Sequence, residues 1–253
     1  HKFLYDIGAV SYPEPFLRLQ NVGLIMADDG RKMSKRYGNV INPDDIVLQF
    51  GADSLRLYEM FMGPFGQSIA WSTDNLIGAR RFIERVWKLQ EKVVDTAPED
   101  KAIELLRHQT IKKVTEDIEC FAFNTAISQM MIYVNLLEKQ SAIHSDIFAE
   151  LIVLLAPFTP FMSEELWSMS GHTDSVHLAA WPTFDAKKTI SDDMTIAVQV
   201  NGKLRDTFTV LRHTNEDAIR ALALERDLVK KWIDEKEVKK IIYVREKLVN
   251  IVL

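Results

Sequence analysis

The sequence predicts a mainly α protein with α/β parts: an antiparallel helical bundle in the middle and a small α/β unit at the end. Three observations carry this. From Leu76 to Ala156, apolar residues recur at helical spacing in successive segments joined by short polar loops. From Ile196 the pattern turns to alternation, interrupted by Asn201-Gly202, a strong short hairpin signal. Before Trp71 the chain is rich in Gly, Pro and Asp, with only short apolar runs.

The elements follow in order. Residues 1–71 are expected to hold a strand-like stretch at Val22 to Met26, a basic loop and two short helices. The first helix has Asn42 as its N-cap, Pro43 at its first position, and Asp44 and Asp45 in a first turn that favours negative charge. Gly51 can end it. The second starts at Asp53 and stops by Gly63-Pro64. Arg56 follows Asp53 by three residues, which reads as a surface ion pair. Residues 72–170 form the bundle, closed by a nearly all-apolar helix from Phe148 to Ala156. Trp87 and Trp167 fall on apolar stripes and read as core.

Residues 171–193, with Pro182 and scattered polar residues, read as a flexible linker. Residues 194–253 form the last unit. Ile196, Val198 and Val200 share one strand face, and Leu204, Phe208 and Val210 share a face of the returning strand. Thr214 can cap a helix, with Asp217 three residues on. "KKIIYV" and "KLVNIVL" close the unit as two short strands.

The composition is that of a globular protein: 253 residues, 47% hydrophobic and 26% charged. Cys120 is the only cysteine, which rules out an intrachain disulfide and a cysteine-based zinc site; a reducing cytoplasm fits. No apolar run is long enough to span a bilayer, so no membrane partner is expected, and the N-terminus is not a signal peptide. The first residue is His1, so a piece of a longer protein or a processed product is expected. The six histidines are scattered, with no H-E-x-x-H or paired spacing, and no metal site is predicted. The net charge is −5, yet residues 194–253 carry 12 Lys+Arg against 9 Asp+Glu. So small an excess is first of all a solvated surface, with nucleic-acid contact as the sharper alternative.

"DDGRKMSKRYGN", Asp28 to Asn39, is the stretch with chemistry in it. Arg31, Lys32, Lys35 and Arg36 repel one another weakly when exposed and screened, and gain if a polyanion sits among them. Gly30 and Gly38 let the backbone bend close to a ligand. Ser34 offers a hydroxyl, and nearby N–H groups can help cradle phosphate oxygens. Lysine is a mobile point charge suited to charge that shifts during reaction. The loop suits a triphosphate or a nucleic-acid backbone; on spacing alone, a solvated surface loop stays open.

"KMSKR" resembles the KMSKS loop of class I aminoacyl-tRNA synthetases, with Arg36 where that pattern has Ser. "GNVINPDDIV" and "GADSLRLYEMFMGP" resemble the segment after that loop in the leucyl-tRNA synthetase family. "APFTPFMSEELW" resembles the end of the family's anticodon-binding bundle, and "WPTFD" follows it. "VQVNGKLR" and "VNIVL" resemble the entry and end of its C-terminal domain. The resemblance covers essentially the whole chain in order. It implies the end of a class I nucleotide-binding catalytic domain (1–71), an anticodon-binding bundle (72–170), a linker (171–193) and a C-terminal α/β tRNA-binding domain (194–253).

The same resemblance implies site residues. Lys35 contacts ATP phosphates during adenylate formation, with Lys32 and Ser34 in support and Met33 seating the loop. Mg2+ accompanies ATP as substrate, and the chain itself carries no metal site. Asn39 and Asp44 read as turn and cap residues. Arg80 and Arg81, with Arg85, either meet tRNA phosphates or form a solvated face. Lys203 and Arg205 flank the hairpin turn of a unit expected at the outer corner of tRNA(Leu). No histidine sits in an H-x-G-H signature. The missing N-terminal catalytic part is therefore expected in the same chain or as a separate subunit, and the chain alone is expected to be inactive. The rivals are a related synthetase for valine, isoleucine or methionine, and a non-catalytic tRNA-binding protein.

Overall fold

The computed structural model of the chain describes residues 1–98, 100–234 and 236–253. The chain divides into two units, His1–Phe184 and Asp185–Leu253, each with its own apolar core.

In the first unit, α1 (Lys2–Asp6) precedes an extended stretch that leads to β1 (Ile25–Met26). The expected strand over Val22 to Met26 is thus only two residues long. Then come α2 (Pro43–Phe50), α3 (Ala52–Phe61), β2 (Ile69–Ala70), α4 (Thr73–Leu89) and β3 (Val93–Val94). After these the chain forms α5 (Lys101–Glu119), α6 (Phe123–Leu137), β4 (Ile143–His144), α7 (Ser145–Leu155) and α8 (Pro160–Met169). β1 pairs in parallel with β2, and β3 with β4. Local signals set the short helices. Asn42 Oδ1 accepts the Asp44 N–H at 3.2 Å, Pro43 opens α2, and Gly51 closes it.

One core runs from α3 through the bundle. Leu57 and Tyr58 of α3 and Trp71 are buried with Leu76, Phe82 and Val86 of α4, Met130 and Val134 of α6, and Leu151 and Leu155 of α7. Residues 1–71 and 72–170 therefore do not pack as separate bodies. Burying each such side chain contributes about 1.5–3 kcal/mol. Arg85 of α4 forks onto Glu138 just beyond α6, with Nε 2.8 Å from Oε1. That hydrogen bond holds the Glu138 carboxyl below its ordinary range, so the bridge loses strength as pH falls through the lowered value.

Asp53 does something different from the expected ion pair with Arg56. It is buried, and it caps a helix far along the chain. α8 opens with Pro160, which has no N–H, and Thr159 provides no side-chain cap. Asp53 instead accepts the Met162 N–H at 2.7 Å and the Phe161 N–H at 3.3 Å. Burial pushes this carboxyl upward, while the two N–H bonds and Arg56 pull the other way. Arg56 itself donates to the Pro157 carbonyl at 2.9 Å. Tyr58 Oη accepts the Ser72 N–H at 2.7 Å.

The expected linker also differs. Val176 is buried in the first core, and Glu164 accepts hydrogen bonds from Ser175 Oγ (2.9 Å) and the Val176 N–H (3.0 Å). Trp181 Nε1 donates to Thr115 Oγ1 at 2.8 Å. Residues 171–184 are thus fastened to the bundle. Trp167 stacks on His172 at 3.5 Å and packs against the core. Trp87, expected in the core, is 37% exposed and lines a groove with Arg80, Lys88 and Phe161.

The second unit contains β5 (Asp193–Val200), β6 (Lys203–Leu211), α9 (Glu216–Glu225), α10 (Asp227–Ile233), β7 (Lys240–Val244) and β8 (Leu248–Val252). The sheet order is β6-β5-β8-β7, with β5 and β8 parallel and the outer pairs antiparallel. Asn201 and Gly202 turn at positive φ, 49° and 75°, as a tight hairpin requires. Met194, Ile196, Val198 and Val200 face the core with Phe208, Ile219, Val229 and Ile251. Leu204, expected beside Phe208, is 58% exposed. The register steps from Val198↔Asp206 to Gln199↔Leu204, so Arg205 is an extra residue in a β-bulge and the inside-outside parity slips there. The helix cap is Asn215, not Thr214: its Oδ1 accepts the Ala218 N–H at 2.7 Å.

The α8 cap gives a direct test. Asp53→Ala leaves the buried Met162 N–H without an acceptor and should lower unfolding free energy by about 1–3 kcal/mol in urea titrations. Asp53→Asn, which keeps one acceptor oxygen, should lose less. A change within about 0.5 kcal/mol for the alanine variant would mean that water satisfies the helix end instead.

Candidate functional site

The basic loop begins where β1 ends. Ala27 N–H donates to the Arg31 carbonyl (2.8 Å) and Gly30 N–H to the Ala27 carbonyl (2.9 Å), closing a tight turn. Met26 and Lys32 form an antiparallel bridge across it. Gly30 sits at φ 74° and Gly38 at φ 64°, the left-handed region that side chains resist. The two glycines therefore reverse the chain at each end of the loop, as their placement suggests.

Between them the loop is pinned from inside. Ser34 caps a single 3-10 turn, Lys35–Tyr37, its Oγ accepting the Arg36 N–H at 3.2 Å. Asn39 Oδ1 accepts the Ser34 N–H at 2.9 Å, and Asn39 Nδ2 donates to the Lys32 carbonyl at 3.4 Å. One amide thus straps the two backbone segments that carry Lys32 and Lys35. Met33 packs against the first core and seats the loop on it.

The four cations are not equivalent. Arg31 is neutralised locally: its Nε donates to Asp29 Oδ2 at 2.7 Å, and its guanidinium lies 5.2 Å from the Tyr37 ring centroid. The hydrogen bond to Arg31 holds the Asp29 carboxyl below its ordinary range. Lys32, Lys35 and Arg36 are exposed and have no ion-pair partner among the described residues. Three cations without ion-pair partners within five residues, on a strapped loop, are an arrangement able to attract a polyanion. The Ser34 hydroxyl, although it accepts from Arg36, keeps its own proton to donate. A groove of about 620 Å³ runs beside the loop, lined by Asp28, Gly38, Asn39, Ile41, Trp71 and Asp74.

Asn39 reads in the sequence only as a turn residue and Asp29 carries no signal there, yet these two side chains shape the loop. Asn39 lies five residues from Ser34, within reach of its backbone once Gly38 turns the chain, but it reads equally as a turn residue. Asp44 is in the first turn of α2, as expected of a cap-region residue.

The other candidates lie elsewhere. Arg80 is tied to the protein, with Nε 2.9 Å from Glu84 Oε1 and Nη1 3.2 Å from the Phe50 carbonyl. Arg81 is exposed, with no hydrogen-bond partner among the described residues. Arg85 is held by Glu138 and Asn135. In the second unit Lys203 is exposed and Arg205 lies over the Trp232 ring, 3.4 Å from its centroid. Among the described residues no three His, Cys, Asp or Glu side chains are placed to hold a metal ion, and no helix is long and apolar enough to cross a membrane.

A short parallel strand pair with a basic loop, set on a helical bundle, points to a class of protein, and comparison with known families names it. Residues 8–72 match the class I tRNA synthetases for isoleucine, leucine, methionine and valine. Residues 100–220 match the anticodon-binding domain of tRNA ligases, a match that runs past Phe184 into the second unit. The chain belongs to the class I tRNA synthetases. Within them its likeness is to leucyl-tRNA synthetase. It is similar to the agnB2 enzyme of Agrobacterium radiobacter K84, solved as a ternary LeuRS-tRNA-LeuAMS complex, at 32% identity and TM-score 0.73. That match covers 99% of this chain and 35% of that one, so the chain spans about a third of the relative's length. A methionyl-tRNA synthetase of Mycobacterium tuberculosis, in complex with methionyl-adenylate, matches 58% of this chain and 37% of its own, at 17% identity and TM-score 0.46, too distant to carry an argument.

The strap can be tested without any ligand. Asn39→Ala should raise the rate of tryptic cleavage between Arg31 and Arg36 about fivefold or more, because losing about 1–2 kcal/mol of local restraint raises the open population by that order. The melting temperature should hardly move. Unchanged cleavage would mean that the loop is held by something other than Asn39.

Proposed function

We propose that this chain supplies the phosphate-handling loop and tRNA-binding modules of a leucine-tRNA ligase, which joins ATP, L-leucine and tRNA(Leu) to give leucyl-tRNA, AMP and pyrophosphate. The observation that carries the reading is the strapped loop, with Lys32 and Lys35 exposed and unpaired among the described residues.

The chemistry follows from where charge moves. The leucine carboxylate attacks the α-phosphorus of ATP, the α–β bond breaks, and negative charge builds on the departing pyrophosphate. An ammonium already aimed at those oxygens lowers the barrier without reorganising at the moment of reaction. Lys35 takes that role, Lys32 supports it, and the Ser34 hydroxyl donates to a phosphate oxygen. Protonated lysines cannot ligate a cation, and one hydroxyl is too few ligands to hold one, so Mg2+ is proposed to arrive with ATP.

Leucine and adenosine recognition are proposed to come from an N-terminal catalytic part, in the same chain or as a separate subunit. One feature supports this. Phe3, Phe16, Leu17, Leu19, Val22 and Leu24 are exposed in one stretch, which suits an interface more than a solvent face. For tRNA, Arg81 and Lys203 remain candidates as unpaired exposed cations, and Arg80 is the weakest because Glu84 and Phe50 already hold it. The single exposed thiol, Cys120, suits a reducing compartment such as the cytoplasm.

In enzyme containing this chain, Lys35→Ala should slow adenylate formation roughly 100- to 1000-fold, the loss of about 3–4 kcal/mol expected for one preorganised charge contact. The KM for leucine should barely change. Lys32→Ala should cost less. Pyrophosphate exchange is the assay, and an unchanged rate in the Lys35 variant would remove the loop from the chemistry.

A further inference from the structure

We propose that Arg205, laid flat on the indole of Trp232, is a contact for an RNA backbone phosphate, with Trp232 as the positioning residue that holds it ready. This rests on the reading above that the second unit binds tRNA.

Four observations converge. First, Arg205 is the extra residue of the β-bulge in β6, which lies at one edge of the sheet. A bulge re-aims the side chain it carries, and this one turns Arg205 toward α10. Second, the guanidinium lies 3.4 Å from the Trp232 ring centroid, in stacking contact. Trp232 is 49% exposed and lies outside the core of the unit. Third, the other arginines of the unit's β6–α10 region are matched with acids: Arg212 with Glu246, Arg220 with Glu216, and Arg226 with Asp206 at 2.6 Å. The acid next to Arg205 in sequence is therefore already taken. Among the described residues, Arg205 has no carboxylate partner. Fourth, its Nε is buried without a hydrogen-bond acceptor. Burial of Nε leaves a phosphate contact to the outer N–H groups of the guanidinium.

Together these describe a cation fixed in orientation and left uncompensated. Free arginine loses rotamer entropy when it binds a phosphate; a stacked one has already lost it. The planar guanidinium offers a fork of N–H donors that fits two phosphate oxygens at once. The surroundings suit RNA. Lys203 is two residues away on β6, and Lys230 and Lys231 are in the last turn of α10 beside Trp232. The match to the anticodon-binding domain of tRNA ligases includes Arg205.

The test measures binding of tRNA(Leu) transcript to the full chain across a range of salt concentrations. Arg205→Ala should weaken binding about tenfold or more and make the plot of log affinity against log salt shallower by about 0.9, one phosphate contact. Trp232→Leu removes no charge, yet should weaken binding comparably and make the slope shallower too, because the guanidinium is released. Trp232→Phe should restore most of both, and the double variant should be no weaker than either single one. Arg205→Lys, which keeps charge but loses the stack and the fork, should bind more weakly than wild type. A Trp232→Leu chain with an unchanged salt slope would overturn the proposal, as would additive losses in the double variant. Should Trp232→Leu fail to fold, Arg205→Lys and Trp232→Phe still decide it, since wild-type affinity in the first or full loss in the second contradicts the stack. A chain ending at Phe184 keeps every residue of the first core. If it binds tRNA as tightly as the full chain, the underlying reading of the second unit fails. If it binds more weakly while Arg205→Ala is silent, only this proposal fails.

Discussion

The first unit depends on one buried carboxylate. Asp53, near the start of α3, completes the N-terminus of α8, a helix that begins more than a hundred residues later with a proline and no cap of its own. The helix dipole favours a negative group at that point, and the amide donors there would otherwise be buried without partners. Tyr58, one turn and a half further along α3, binds the backbone where α4 begins, and Arg56 reaches the carbonyl of Pro157. A single short helix thus ties the segment carrying the basic loop to the front and back of the bundle. In the proposed enzyme the phosphate loop and the bundle move as one body, so tRNA seated on the bundle and ATP at the loop are held by one frame.

What could be read in the sequence was what is local. The α2 cap, its opening proline and its closing glycine lie within ten residues, and each acts through its own backbone. The same holds for the Asn201-Gly202 turn and the last two strands. What could not be read was what depends on distant partners. Asp53 and Arg56 have the spacing of a surface pair, and nothing in that spacing reveals that each finds a backbone partner at the α7–α8 corner, Asp53 from a buried position and Arg56 from an exposed one. Trp87 has helical periodicity with the core but ends beside a groove, because periodicity fixes a stripe and not its width. Leu204 follows the alternation until one bulged residue shifts the parity. The stretch 171–184 has a linker's composition, yet Val176 and Trp181 secure it to the bundle.

The loop shows the same division. Its basic character and its flanking glycines are visible as letters. Which cations remain available is not, because that depends on Asp29 folding back onto Arg31 and on Asn39 reaching across Gly38. The outcome is a separation of roles within a few residues. One arginine is spent on the turn itself, and two lysines and an arginine stay open at the surface. A loop whose backbone is restrained while its lysines are unpaired suits the proposed reaction, in which negative charge grows on the pyrophosphate as it departs.

In the proposed ligase, this chain brings the phosphate loop to an ATP site that other residues complete. The direct measurement is leucine-dependent exchange of labelled pyrophosphate into ATP, by the purified chain alone and after adding an H-x-G-H-bearing catalytic part in trans. No exchange is expected from the chain alone, and on mixing exchange should exceed that of either part. Exchange by the chain alone, or exchange by the added part that is indifferent to this chain, would contradict this reading.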